Sequence, residues 1–227
     1  MMDAVRFMKM DFIKMKTQAK FMALVVLIVI VFFGKMMGET MGVFSIMYMI
    51  FMGILLCYTP FGIDSMVADG FIRLLPARAK YRVFGRFMFA AVFLTVCAVC
   101  GSLVSIPSLM KDQITASEIL VYGVMFYSAG LCINSLQYVF CYFFEIKSQQ
   151  LLSLFRLLWG FLFFIGGSYL IELSGEMQED TLNQIGKVLN YVMEHQGVAA
   201  LVLLAAAVIF TMFCAVVCGK REERKEA

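Results

Sequence analysis

The sequence predicts an all-α polytopic membrane protein: six transmembrane helices, an N-terminal amphipathic interfacial helix, and a short external helix between the fifth and sixth spans. Three observations carry that prediction. The first is composition. Of 227 residues, 62% are hydrophobic and 15% charged, with a mean hydropathy of +0.88, against roughly 45–50% and about 25% in an average soluble domain. A soluble core of this length could not hide so much apolar surface, and 23 Phe, 9 Tyr and 19 Met are the reverse of a disordered composition. The second is the length of the uncharged runs, and the third is the placement of the charges. Together they exclude an ordinary soluble enzyme and a disordered tail.

A hydrocarbon core of about 30 Å takes roughly 20 apolar residues as helix. Residues 40–63, 87–110, 119–144 and 196–219 are each uncharged over that length. Two shorter runs, 21–34 and 157–171, become long enough when Lys20, Lys35 and Arg156 snorkel from their ends. The expected spans are therefore about 18–38, 40–62, 85–107, 118–144, 151–173 and 196–219, in one membrane domain over 1–227. Continuous apolar runs, not alternation at period two, favour helices over a barrel. A cleavable leader is the rival for the first run, but Met36-Met37-Gly38-Glu39 offers no small-residue cleavage site.

With six spans, both termini share one side with the second and fourth loops. Of 19 lysines and arginines, only Lys35, Lys111 and Lys187 then fall on the opposite side. This bias places both termini in the cytoplasm of a multi-pass plasma-membrane protein. A net charge of +3 says nothing of the kind until the charges are sorted by side.

Outside the spans, residues 1–19 carry Val5, Met8, Phe12 and Met15 at helical spacing, the pattern of a helix lying on the membrane surface. The external loop 174–195 carries Leu182, Ile185, Val188, Leu189 and Val192 at similar spacing, read as a short helix that either caps the bundle or merely connects.

Catalytic signatures are missing. The single histidine, His195, lies in a loop, and no metalloprotease, nucleophile-elbow or Walker A pattern occurs. All 7 cysteines fall inside expected spans with apolar flanks, so they read as small packing residues, not metal ligands. No metal and no cofactor are expected in this chain, and no nucleic acid as a partner. Cys97, Gly101 and Ser105 repeat every four residues in the third span, a face for close helix packing. The fourth span carries Asn134, Ser135, Gln137 and Tyr138. Asn134, Gln137 and Tyr138 are candidates to line a substrate path, with interhelical hydrogen bonding as the alternative.

The loop 63–84 is the most informative stretch. It places an apolar knob, Phe71, Ile72, Leu74 and Leu75, after Asp69, then Pro76 and the basic run Arg78, Lys80, Arg82 and Arg86. Hydrophobes exposed at this position need cover from membrane or protein, while the cations alone would serve as lipid anchors.

The order Leu75, Pro76, Arg78, Val83, Arg86, Phe87 resembles the signature that opens the third helix in ABC-2 type transporter permeases, in the small branch that includes phenol-soluble modulin and bacteriocin-related exporters. In that family the arginine often sits three residues after the proline; here it sits two after. The general layout resembles the family over nearly the whole chain. The resemblance implies a dimeric permease subunit (homo- or heterodimer) driven by a separate ATP-binding-cassette ATPase, which would hold ATP and Mg. It also implies that loop 63–84 is the coupling loop, with Asp69, Phe71, Ile72, Leu74, Leu75, Pro76 and Arg78 touching the ATPase. Amphipathic or antimicrobial peptides or other hydrophobic molecules are the expected cargo, alongside contact with membrane lipid. The alternatives are a substrate-binding subunit of an energy-coupled uptake system and a membrane anchor without transport; an intramembrane enzyme is disfavoured, because acids and His are absent from span interiors.

Overall fold

The structure, a computed structural model, describes residues 2–16, 41–66, 78–110, 114–144 and 195–226. The described residues are helical throughout, with no strand among them: α1 (Met2–Lys16), α2 (Met41–Leu56), α3 (Thr59–Met66), α4 (Ala79–Val104), α5 (Ile106–Met110), α6 (Ala116–Phe144) and α7 (Gln196–Glu226). Among the described residues, four stretches are long and apolar enough to cross a membrane: Phe44–Gly62, Ala79–Met110, Ala116–Phe144 and Gln196–Lys225. They correspond to the expected second, third, fourth and sixth spans. The expected first and fifth spans, and the external helix within 174–195, lie outside the described residues.

Local chemistry explains where the helices start and stop. Pro60 has no N–H to continue the ladder of α2, so the chain turns at Cys57–Tyr58 and restarts as α3, with Phe61 and Gly62 both donating to the Tyr58 carbonyl. Helix α4 starts just past Pro76, from an extended Arg78 (φ −59°, ψ 137°). Lys80 and Arg82, which the sequence assigns to loop 63–84, are thus helical from Ala79, and Arg86 follows within the expected third span. Pro107 ends α4 in the same way, and the Ser105 hydroxyl folds back onto the Gly101 carbonyl at 2.9 Å. A capping box opens α6: the Thr115 N–H donates to the Glu118 carboxylate at 2.8 Å, and the Glu118 N–H returns to the Thr115 hydroxyl at 3.3 Å.

Helix α4 is the hub, packing against α1, α2, α6 and α7. The small-residue face expected on the third span is where it meets α2. A Cβ on Gly101 would lie 2.8 Å from the Ile46 Cα, and one on Gly53 would lie 2.9 Å from the Cys97 Sγ. Such proximity lets backbones approach where the lipid itself provides no hydrophobic drive for helices to associate. Ser45 completes the crossing, with its hydroxyl 2.9 Å from that of Ser105.

Contacts also give the helix directions. Ser45 with Ser105, and Phe61 with Arg86, make α2–α3 antiparallel to α4. Ser135 with Thr211, and the Phe143 carbonyl with Arg221, make α6 and α7 parallel. One end of the bundle therefore collects α1, the end of α3, the start of α4 and the ends of α6 and α7. Lys80, Arg86 and Arg221 lie there, and it is called the basic end below.

Helix α1 joins this end by direct contact with α4. A Cβ on Gly85 would fall 2.6 Å from the Phe7 Cβ and 2.7 Å from the Ala4 carbonyl oxygen. Phe12 meets Phe89 edge-on, with ring centroids 4.8 Å apart. The buried line of α1 is Ala4, Asp11 and Met15. It shares only Met15 with the apolar stripe read from the sequence, because the close approach at Gly85 sets the rotation of the helix.

Candidate functional site

The site begins with Arg86, one turn into the hub helix beyond Arg82. Its guanidinium lies 4.1 Å from the centroid of the Phe61 ring, and its Nε is 3.8 Å from the Asp11 carboxylate. It also hydrogen-bonds the Tyr142 hydroxyl. The Arg86 side chain is 15% exposed and that of Asp11 5%. A pair so withdrawn from water costs desolvation free energy and depends on additional hydrogen bonds to offset it. Lys14 supplies one, with its Nζ 3.3 Å from Asp11. Burial pulls the Lys14 ammonium below the usual lysine range; Asp11 opposes that shift and Arg86 adds to it.

Around this node stands an aromatic box. Phe61 meets Tyr138 at 5.0 Å and Tyr142 at 5.3 Å, and Phe87 meets Tyr138 at 5.2 Å, all near edge-to-face. Such offsets match positive ring edges to negative faces. Tyr138 also donates its hydroxyl to the Cys57 carbonyl at 2.8 Å. That carbonyl is freed by the turn before Pro60, since Phe61 donates to Tyr58 instead. Arg86 thus ties α1, α3, α4 and α6 together directly between the two flanks of loop 63–84.

Above the box runs a buried polar stripe. Gly130, Asn134, Gln137 and Cys141 follow one another at helical spacing on one face of α6. Gly130 abuts Ile50 of α2, and Cys141 packs with Tyr58. Gln137 is 0% exposed and Asn134 2%. Neither amide atom of Gln137 has a hydrogen-bond partner, nor does Asn134 Oδ1. Ser135, one position round the helix, is satisfied by the Leu131 carbonyl at 2.7 Å and Thr211 at 2.9 Å.

Of the residues the sequence singled out, Asn134, Gln137 and Tyr138 lie together on buried faces of α6, with Tyr138 in the aromatic box. Arg78 is exposed at the start of α4, without a side-chain capping bond. Asp69, Phe71, Ile72, Leu74, Leu75 and Pro76 lie outside the described residues. Sequence reasoning missed Asp11, and took Arg86 as one more surface anchor. The available signal was Asp11, the one acid between Val5 and Met15 in the apolar repeat. Among the described residues, no group of three or more His, Cys, Asp or Glu could hold a metal ion.

The hub helix is thus opened by a basic run and tied to α1, α3 and α6 at that end. The family model of ABC-2 family transporter proteins matches residues 7–218. The chain belongs to the ABC-2 transporter family. Searches of curated proteins and of solved structures found no match. As an ABC-2 protein it is a multi-pass membrane permease component of an ABC transporter, and the family implies an ATPase partner on another chain. The Arg86 node of this ABC-2 chain sits where the helices flanking loop 63–84 enter the bundle.

Proposed function

We propose that the chain is the permease subunit of an ATP-driven exporter in a bacterial plasma membrane, carrying amphipathic or antimicrobial peptides or other hydrophobic cargo. ATP and Mg are held by the separate ATPase subunit, and two permease copies form the pathway. The knob Phe71, Ile72, Leu74 and Leu75, with Asp69, Pro76 and Arg78, docks on that ATPase. The observation that carries this reading is the Arg86 node. Phe61 leads into the loop and Arg86 follows it, and their cation–π contact at 4.1 Å ties both flanks to α6 and α1. A pull on the loop would then move a unit, not one strand of chain.

Six spans with both termini cytoplasmic fit the helix directions. Helix α1 stands at the basic end while α2 begins at the other. Helix α6 ends at the basic end while α7, parallel to it, begins at the other. Each change of end is consistent with the expected first and fifth spans. The basic end is the cytoplasmic one by the positive-inside rule, and α1 rests at that surface. Asn134 and Gln137 face cargo in the conducting conformation, when the Gln137 amide and Asn134 Oδ1 gain partners, while Tyr138 holds the α2–α3 turn in place.

The test is co-purification with an ATPase chain encoded beside this one, followed by an assay of cargo-stimulated hydrolysis. Leu75→Asp and Phe71→Asp should lose the ATPase while the permease still inserts. Retention of binding and stimulation by both variants would refute the docking assignment. Cysteines placed at Lys111 and Lys187 should label from outside; labelling from the inside alone would overturn the orientation.

A further inference from the structure

A groove of about 570 Å³ lies between α4, α6 and α7 with Ala4 of α1 at its edge; it is separate from the polar stripe and shares only Phe87 with the aromatic box around Arg86. It follows one face of α4 from Lys80 through Phe84 and Met88 to Ala91, with Leu131 and Ala215 as walls. Its rim residues Val208 and Met212 are 45% and 58% exposed, so the groove opens sideways on the apolar outer surface of the bundle.

Along its length two polar side chains, Tyr127 and Thr211, are already engaged, and Tyr81, which also carries a hydroxyl, lines it beside Lys80. The Tyr127 hydroxyl contacts the Ala91 carbonyl at 3.4 Å and the Thr95 hydroxyl at 3.3 Å, and Thr211 pairs with Ser135. An extended peptide lying here would bring N–H and C=O groups that find no partner in a dry site, and a helix of about 10 Å diameter is too wide for it. The lining suits hydrocarbon. From Lys80 to Ala91 the helix rises roughly 16 Å, close to the ~15 Å that one leaflet contributes to a ~30 Å hydrocarbon core.

The mouth is charged in a particular order. Lys80 lines the groove at the basic end, with its Cβ beside Gly219 of α7; one turn further along α7 the Glu223 carboxylate lies 3.6 Å from the Lys80 ammonium, with side chains 35% and 41% exposed. An ion pair this exposed is weak and readily re-partnered. Apolar groove, cation, then anion matches acyl chain, phosphate, then amine. We propose that this groove binds one acyl chain of an amine-headed phospholipid from the leaflet at the basic end, with Lys80 on the phosphate and Glu223 on the amine. The site is independent of the transport reading above.

The full-length chain, purified in detergent, would be offered equal amounts of dioleoyl phosphatidylethanolamine and dioleoyl phosphatidylglycerol and weighed by native mass spectrometry. One retained lipid per chain is expected, mostly the amine-headed one. Lys80→Gln should weaken retention about fivefold, the contribution of one lysine at a phosphate surface. Glu223→Gln should leave retention in place but abolish the preference between heads. Ala91→Trp should empty the groove. Equal retention by wild type and Lys80→Gln, or a preference for the glycerol head, overturns the proposal. So does retention by an Ala91→Trp protein that melts like the wild type. Both charge variants sit at partly exposed positions, so the result does not depend on Ala91→Trp folding.

Discussion

Arg86 Nε lies 3.8 Å from the Asp11 carboxylate, joining the N-terminal helix to the hub helix through a pair almost closed to water. Removing one member leaves the other charged and buried, which costs about 3–5 kcal/mol where no relief is at hand. Asp11→Asn should cost less than Arg86→Gln, because Arg86 also stacks on Phe61 and bonds Tyr142. In the double variant the losses should fall short of additive by about 1–3 kcal/mol. Thermal unfolding of the purified proteins in one detergent gives the cycle; strict additivity would show that the two groups do not act as a pair.

Gly85 decides whether α1 docks. An alanine there places its Cβ 2.6 Å from the Phe7 Cβ and 2.7 Å from a backbone oxygen, neither of which is the free end of a flexible chain. Overpacking of this kind costs about 1–3 kcal/mol. Gly85→Ala should release α1 to protease before it affects the membrane bundle. In a chain lacking residues 2–16 the same substitution should be neutral. A penalty that persists after truncation would place the clash elsewhere.

Gly101 and Gly197 make a matched pair of controls. At Gly101 a Cβ meets the Ile46 Cα at 2.8 Å, whereas at Gly197 nothing lies within 4 Å. Gly101→Ala should lower the melting temperature, with about 1–3 kcal/mol lost to overpacking. Gly197→Ala should leave it unchanged or raise it slightly, since alanine is favoured over glycine in a helix by up to about 1 kcal/mol. Equal effects at the two positions would argue against the tight α2–α4 crossing.

Gln137 bears on function and stability in opposite directions. Its amide is buried with neither atom bonded, so replacement by Met or Leu removes a desolvation penalty of about 1–3 kcal/mol. Gln137→Met should melt higher than the wild type yet reduce cargo-stimulated hydrolysis by the ATPase. A lower melting temperature would mean that the amide is part of a satisfied network and has no reason to await a ligand.

Much of the fold is legible in the sequence. Four expected spans reappear as helices, and the Cys97–Gly101–Ser105 face packs where a small-residue stripe should. Those features rest on local or strictly periodic properties of the chain. The candidate site was only half legible. Asn134 and Gln137 announce themselves as polar residues in an apolar run, but nothing adjacent to Asp11 or Arg86 in the sequence joins them. The Tyr138 bond to the Cys57 carbonyl was likewise hidden, because it depends on a backbone turn that only the packed helices reveal.

The solvent of this protein and four of its membrane-crossing stretches follow from local sequence, because the transfer of apolar helix into lipid is nearly a sum over consecutive residues. The tertiary structure decided how each helix is rotated and with which residue it pairs. Rotation follows from where backbones can touch, at Gly85 and Gly101, and that contact brings Asp11 to Arg86 and leaves Gln137 alone. Such pairings join residues far apart in the chain, so no local sum contains them.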